Sequence, residues 1–447
     1  NEGRAALGVL PIEPSVPVGT VFGVPAATLY NPEPGIAFSG VERDTRYFSG
    51  IADWDIAGSG YTLTVDGGLR VEGRRTGSDS DFTSVNNLSA ATRATGAEAS
   101  GANTSADHYK DWSAEVRLAS PTDRSVRFLV GLYQYKQRQE LFDINFNAPG
   151  GLPVPFQVSN VDNQAAFGLV EWKFLPDWSI AVEGRYAKET KRFREWASTT
   201  TGIGAQTFDQ EGDWKKFTPR ATLKWQATPD LNLFAIYAEG VKPGGFNGAA
   251  GIPFGKQTYE QETSKNYELG AKATWLDGRL TTNLSLYYID SKQIQLTQAI
   301  TSAASPNAVT SLVTNQGAGD VKGAELEVRW KATEYLTLGA TFALADSAFK
   351  QGCDDMQWTL TSGGGRYIVP ASGALTGTGF TASIDGCPGS NVATNLTGQG
   401  NPSIKGKRFP LSAPETGSVS LCSMPPLSNR RACCSRVARR DVLPTRT

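Results

Sequence analysis

The feature that most constrains this chain is a spaced signature: a tryptophan, five residues of turn-like sequence, then a large apolar residue that opens the next alternating run. It reads Trp172-Lys-Phe-Leu-Pro-Asp-Trp178, Trp225-Gln-Ala-Thr-Pro-Asp-Leu231 and Trp330-Lys-Ala-Thr-Glu-Tyr-Leu336, with a tighter variant at Trp275-Leu-Asp-Gly-Arg-Leu280. The four tryptophans lie 53, 50 and 55 residues apart. A tightly turned hairpin thus recurs at nearly constant spacing, and a longer connection joins each hairpin to the next. Hairpins repeated in this way build a transmembrane β-barrel.

The runs between turns alternate with period two, as a sheet with two chemically different faces requires. Phe217, Pro219, Ala221, Leu223 and Trp225 interleave with Thr218, Arg220, Thr222, Lys224 and Gln226. Tyr267, Leu269, Ala271, Ala273 and Trp275 interleave with Glu268, Gly270, Lys272 and Thr274, and Ala324, Leu326, Val328 and Trp330 with Glu325, Glu327 and Arg329. Trp112, Ala114, Val116 and Leu118 repeat the pattern against Ser113, Glu115 and Arg117.

Alternation alone also fits a soluble sandwich with its oily face inward, and a β-propeller has a repeat near this length. Run length favours the membrane. The runs reach about 9 to 15 residues, where globular strands have about 5 or 6 and a bilayer crossing needs roughly 9 to 11. Tryptophan and tyrosine mark run ends more than middles, as rings at headgroup level do. Short turns fall near 58–60, 120–124, 176–177, 228–230, 277–279 and 333–335. Long polar stretches fall at 76–106, 140–163, 198–213, 242–264, 298–318 and 351–405. That asymmetry predicts about 14 strands with long loops on one rim.

Composition fits this reading. A mean hydropathy of -0.30 is unremarkable for a barrel that shows only alternate residues to lipid, and no stretch approaches 18 apolar residues, the length of a membrane-crossing helix. Forty-three basic against 44 acidic residues give no field that recruits nucleic acid. One histidine, His108, is too few for histidine-based catalysis or a histidine metal site; it reads as a rim residue. No cofactor motif appears, and the chain reads as no enzyme. Lys242-Pro-Gly-Gly-Phe-Asn247 lacks the following helix of a phosphate cradle and reads as a strand end opening a loop. Asp79 with Asp81 and Asp354 with Asp355 lack the spacing of a calcium loop and read as solvated charge.

Two cysteines, Cys353 and Cys387, share the longest irregular segment. In an exported protein they read as a disulfide pinning that loop, with two free thiols as the alternative. The chain starts at Asn1 without a leader, so an exported barrel is expected to begin upstream of it. Residues 1–40, rich in proline and glycine, read as a loop-like segment, and 41–421 as the barrel. Residues 422–447, with three cysteines, six arginines and no alternation, read as an unstructured basic tail, with a shifted reading frame as one origin.

Several stretches resemble the barrel of TonB-dependent outer-membrane receptors. They are Phe217 to Trp225 with Leu231 to Asn247, Glu262 to Lys272 running into Trp275 to Leu280, Asn315 to Glu327, and Trp112 to Pro121. The resemblance covers about Val41 to Leu421. It implies an all-β antiparallel barrel of 22 strands in the outer membrane of a Gram-negative bacterium, of which this sequence would supply an incomplete portion of about 14. It also implies a plug and a TonB box, neither of which the sequence contains. The implied function is active uptake of a scarce nutrient such as an iron–siderophore complex, and the implied partners are outer-membrane lipid, the TonB energy-coupling complex through a missing N-terminal region, and a small nutrient or metal-chelate ligand. A passive porin or a structural barrel is the alternative. Polar strand positions Arg117, Glu183, Arg185, Arg220, Lys224, Glu268, Lys272, Glu325, Glu327 and Arg329 are expected to face the lumen. Lys242, Phe246 and Asn247 are the candidate ligand contacts, because receptor loops carry most such contacts.

Overall fold

The computed structural model describes residues 20–21, 24–25, 40–79, 102–144, 156–199, 202–302, 305–354, 357, 368–369, 387, 401–410, 412–423 and 433–439. Its main sheet has fifteen strands, all but one of them on a single antiparallel path in chain order. These are β1 (Gly40–Asp55), β2 (Thr62–Asp79), β3 (Ala102–Ala119), β4 (Val126–Ile144), β5 (Gln157–Leu175), β6 (Trp178–Thr199) and β7 (Gly202–Thr228). The path continues with β8 (Leu231–Lys242), β9 (Glu262–Trp275), β10 (Leu280–Ser302), β11 (Ser305–Lys331), β12 (Leu336–Phe349), β13 (Glu415–Ser423) and β14 (Cys433–Arg439). The remaining strand, Ile368–Val369, pairs parallel to the end of β10. The strand number on the path matches the sequence reading, and every predicted short turn is a turn.

Register fixes the two faces. Leu223, Ala235, Leu269, Leu286 and Ala324 pair across five consecutive strands, and so do Lys224, Phe234, Gly270, Ser285 and Glu325 one position away. Residues directly opposite one another share a face, so one side of the sheet is a continuous apolar wall. Leu269 is 62% exposed and Leu132 66%, a degree of apolar exposure that water would penalise and hydrocarbon does not.

Two aromatic girdles bound this wall. Near the short turns lie Trp54, Trp172, Trp225, Trp275 and Trp330, with Trp178 stacked on Trp225 at 5.1 Å. Towards the other rim lie Tyr186, Phe217, Tyr237, Tyr267 and Tyr288, where Tyr267 stands 5.3 Å from Tyr237 and 6.3 Å from Tyr288. The eight-residue step from Trp275 to Tyr267 spans about 27 Å along a strand and about 20 Å of height after tilt, near the apolar band of outer-membrane barrels.

Above the second girdle the strands continue. β7 and β11 have 27 residues each, β6 has 22 and β10 has 23, whereas β8 has 12 and β9 has 14. The expected loops at 198–213 and 298–318 are therefore largely strand, the tops of two tall hairpins. On those tops apolar residues such as Phe208, Trp214 and Leu312 are interspersed among polar ones without a regular period, so alternation disappears although backbone pairing persists. The flanking hairpins leave a notch above β8 and β9. Residues 422–447 also differ from expectation, because β13 runs to Ser423 and Cys433–Arg439 pairs with it. A sheet edge offers unpaired backbone groups to any extended neighbour, whatever its side-chain pattern. Of segment 1–40, Thr20–Val21 pairs with Val24–Pro25, and β1 opens at Gly40.

Candidate functional site: the lumenal wall and its inner loop

The face opposite the apolar wall carries the chemistry. Near the short-turn rim, Arg220, Lys224, Glu268, Lys272, Glu325 and Glu327 line one recess of about 650 Å³, so the register assembles six of the polar positions expected in the lumen. The cations lie on β7 and β9 and the acids on β9 and β11, which separates the two signs along the wall. Ser285 Oγ donates to the Glu268 carboxylate. Phe234 lies beneath the Lys272 ammonium at 5.8 Å.

Closer to the other rim, the inner faces of β2 to β6 bring aromatic rings and guanidinium groups together. The Arg185 guanidinium stands 5.0 Å from the Tyr133 ring centre and 5.8 Å from that of Phe167, and it makes no ion pair among the described residues. Arg70 stacks on Tyr109 at 4.2 Å and donates to Asp111 at 2.7 Å. The Tyr135 hydroxyl lies 3.4 Å from that of Tyr109 and donates to Gln137 Oε1 at 3.1 Å. Sequence reading missed Tyr133 and Tyr135. The signal was the alternation Leu129, Gly131, Tyr133, Tyr135 hidden inside a run that is apolar on both faces.

The segment between β8 and β9 fills the notch from the lumenal side. Phe246 packs edge-on against Trp214 at 5.7 Å and Phe208 at 6.1 Å, both inward residues of β7. Lys191 of β6 donates to the Gly244 carbonyl at 2.8 Å, and Glu195 accepts the Ala249 N–H at 2.6 Å at the start of the 3₁₀ turn Gly248–Phe254. On the opposite flank, Gln295 donates to the Pro243 carbonyl at 2.9 Å and the Glu260 carbonyl at 3.0 Å. Asn315 accepts the Glu260 N–H at 2.7 Å. Burial raises the Tyr259 phenol above its usual range. Glycine is required at 244, because a Cβ there would overlap the Trp214 indole and the Tyr259 carbonyl. At 248 the backbone has φ +67°, a conformation most side chains disfavour.

The three candidate contacts thus have distinct placements. Lys242 ends β8 with an exposed side chain, Phe246 is held in the aromatic cluster, and Asn247 directs both amide hydrogens to the carbonyls of Lys256 and Val313, each at 2.8 Å. Cys353 and Cys387 are disulfide-bonded with Cα atoms 5.6 Å apart. The Cys353 N–H donates to Gln316 Oε1 at 2.7 Å, which ties the bond to β11. His108 is exposed on the lipid-facing side near the rim. Asp81, Asp355 and the Asp79 side chain lie outside the described residues. Among those described, no group of three or more potential ligands gathers to hold a metal.

A family model described as TonB dependent receptor-like, beta-barrel, matches residues 13–422. The pesticin receptor of Yersinia enterocolitica is 26% identical over 227 residues, 48% of this chain and 31% of that receptor. The metal-pseudopaline receptor CntO of Pseudomonas aeruginosa is 30% identical over 162 residues, 35% of this chain and 18% of that receptor. Among solved structures, the ferric yersiniabactin uptake receptor FyuA from Yersinia pestis superposes with a TM-score of 0.56 at 14% identity, over 89% of this chain and 49% of that one. The ferric preacinetobactin receptor BauA from Acinetobacter baumannii gives 0.55 at 12%, over 87% and 50%. The chain therefore spans about half the length of these solved structures, and at such identities the likeness concerns the fold.

Proposed function

The chain belongs to the TonB-dependent receptor family, β-barrels of the Gram-negative outer membrane, and on that premise we propose that it forms the wall of a receptor for active uptake of a scarce nutrient, with metal–siderophore chelates as the ligand class. The observation that carries this reading is Arg185 held between the rings of Tyr133 and Phe167 on the inner wall. A guanidinium without a carboxylate partner, set among aromatic faces, suits an anionic, partly aromatic chelate, for which it offers charge and stacking together. The inner loop lies beyond Arg185 towards the tall hairpins, tied to Lys191 and Glu195 further along β6, and exposed Lys242 adds a second cation at its base. Of the receptors named above, CntO, FyuA and BauA are described as acting on ferric or metal chelates, which agrees with this ligand class. Coupling to the TonB complex belongs to the same proposal.

The test is uptake of radiolabelled ferric chelates by cells with and without the encoding gene, before and after collapse of the proton-motive force. Gene-dependent uptake that stops on collapse supports the reading. Uptake that survives collapse identifies a passive porin instead, and uptake indifferent to the gene removes the transport reading altogether.

A further inference from the structure

Asn247-Gly248 is the only Asn–Gly dipeptide in the chain, and its asparagine ties the inner loop to β11. In such a pair the backbone nitrogen of the glycine can attack the carboxamide carbon of the asparagine, because the glycine has no Cβ in the way and its backbone turns freely. The bond from that nitrogen to Cγ forms and the Cγ–Nδ2 bond breaks. The amide nitrogen takes the proton lost by the glycine N–H and leaves as ammonia. Water then opens the five-membered imide at either carbonyl, which yields aspartate or its β-linked isomer. No oxidant, metal or second protein takes part.

The loop requires both residues of this reactive pair. Gly248 has φ +67°, and a Cβ there would overlap the Glu195 carboxylate and the Phe193 ring. Asn247 Nδ2 donates to the Lys256 and Val313 carbonyls, and its Oδ1 accepts the Val313 N–H, each at 2.8 Å. A carboxylate in the same place makes only the last of these three bonds.

The same geometry holds the reaction off. Ring closure brings Asn247 Cβ and the Gly248 nitrogen close to eclipse about the Cα–C bond. With ψ −2° at Asn247, its own backbone nitrogen occupies that eclipsed position, and on a tetrahedral carbon the Cβ lies about 120° round from it. The leaving amide is held by two hydrogen bonds. The Glu195 carboxylate, which accepts the Ala249 N–H at 2.6 Å, sets negative charge beside the Gly248 amide and disfavours loss of its proton. Closure therefore demands a rotation of Asn247 that breaks its bonds to Lys256 and Val313.

We propose that Asn247 is a self-modification site, silent while the loop is seated in the notch and reactive when it opens, and that conversion to aspartate or isoaspartate makes the opening permanent. The product lacks both donors to the Lys256 and Val313 carbonyls and adds a carboxylate to a loop that Glu195 already touches. The reaction needs no ligand, so it stands apart from the chelate-uptake reading.

The test incubates the whole chain in detergent at mildly alkaline pH, with circular dichroism to establish folding. Mass spectrometry and isoaspartyl methyltransferase labelling follow the peptide that contains Asn247. The folded parent should convert at least about tenfold more slowly than the same chain unfolded in guanidinium chloride, the factor that three retained hydrogen bonds impose on opening. Phe246→Ala frees the loop from Trp214 and Phe208 and keeps the dipeptide; it should convert about five- to tenfold faster than the folded parent. Lys191→Ala, which releases the Gly244 carbonyl, should act in the same direction and replaces the first variant if that one does not fold. Both linkages should appear among the products. A folded parent that converts at the unfolded rate overturns the proposal, as do loosened variants that convert no faster than the parent. Aspartate in the α-linkage alone overturns the ring-closure route.

Discussion

The Asn247 carboxamide and the Val313 backbone form a reciprocal pair. Asn247 Nδ2 donates to the Val313 carbonyl at 2.8 Å, and Asn247 Oδ1 accepts the Val313 N–H at 2.8 Å. This pair closes the notch above β8 and β9, because Asn247 sits in the connecting loop and Val313 on the tall hairpin β10–β11. Phe246 fastens the other flank to β7, so adjacent residues tie the loop to two walls.

Replacing Asn247 by alanine leaves the Val313 N–H and C=O without their partners, at a cost of about 1–3 kcal/mol if they stay shielded from water. Hydrogen exchange across 243–261 should accelerate by about tenfold or more, with exchange in β4 and β5 unchanged. Asn247→Asp retains the acceptor but loses both donors and should fall between. Unaltered exchange in the alanine variant would show that the pair does not hold the loop.

Leu284 and Ser285 are neighbours on β10 with opposite facings. Leu284→Arg places a charge near the middle of the apolar wall and should cost about 2–4 kcal/mol of folding stability in lipid. Ser285→Arg places the same charge beside Glu268 and Glu325 in the lumenal recess and should cost a small fraction of that. Urea titration in bilayers reads both, and equal costs would invert or erase the facing assignment.

Arg185→Ala should raise the chelate concentration for half-maximal uptake by about five- to tenfold, and Arg185→Lys should recover only part, because an ammonium lacks the planar stacking face. Tyr133→Ala should act in the same direction. An unchanged half-saturation in all three would move the ligand contact elsewhere on the wall.

Non-reducing mass spectrometry should recover the Cys353 and Cys387 peptides linked. With the cysteines 34 positions apart in the chain, chain-entropy arguments give about 4 kcal/mol of stabilisation from the bond. Limited proteolysis between them should become markedly faster in the C353S/C387S variant. Alkylation of both thiols without prior reduction would refute the pairing in the exported protein.

The sequence by itself determined the sheet within the membrane. The tryptophan-turn spacing placed the short rim, and the alternation through Leu223 and Lys224 assigned each side chain to lipid or lumen, because a strand in a two-sided environment must write that environment into every second residue. The six charges of the lumenal recess were legible for the same reason. Alternation fails where neither face meets lipid, so the tops of the β6–β7 and β10–β11 hairpins looked like loops. It also carries no register between strands. That Arg185 of β6 meets Tyr133 of β4 and Phe167 of β5, and that Phe246 and Asn247 serve as anchors, are consequences of which residues stand opposite one another. Only the paired tertiary sheet decides this, because residues far apart in the chain become neighbours through its ladder of backbone hydrogen bonds.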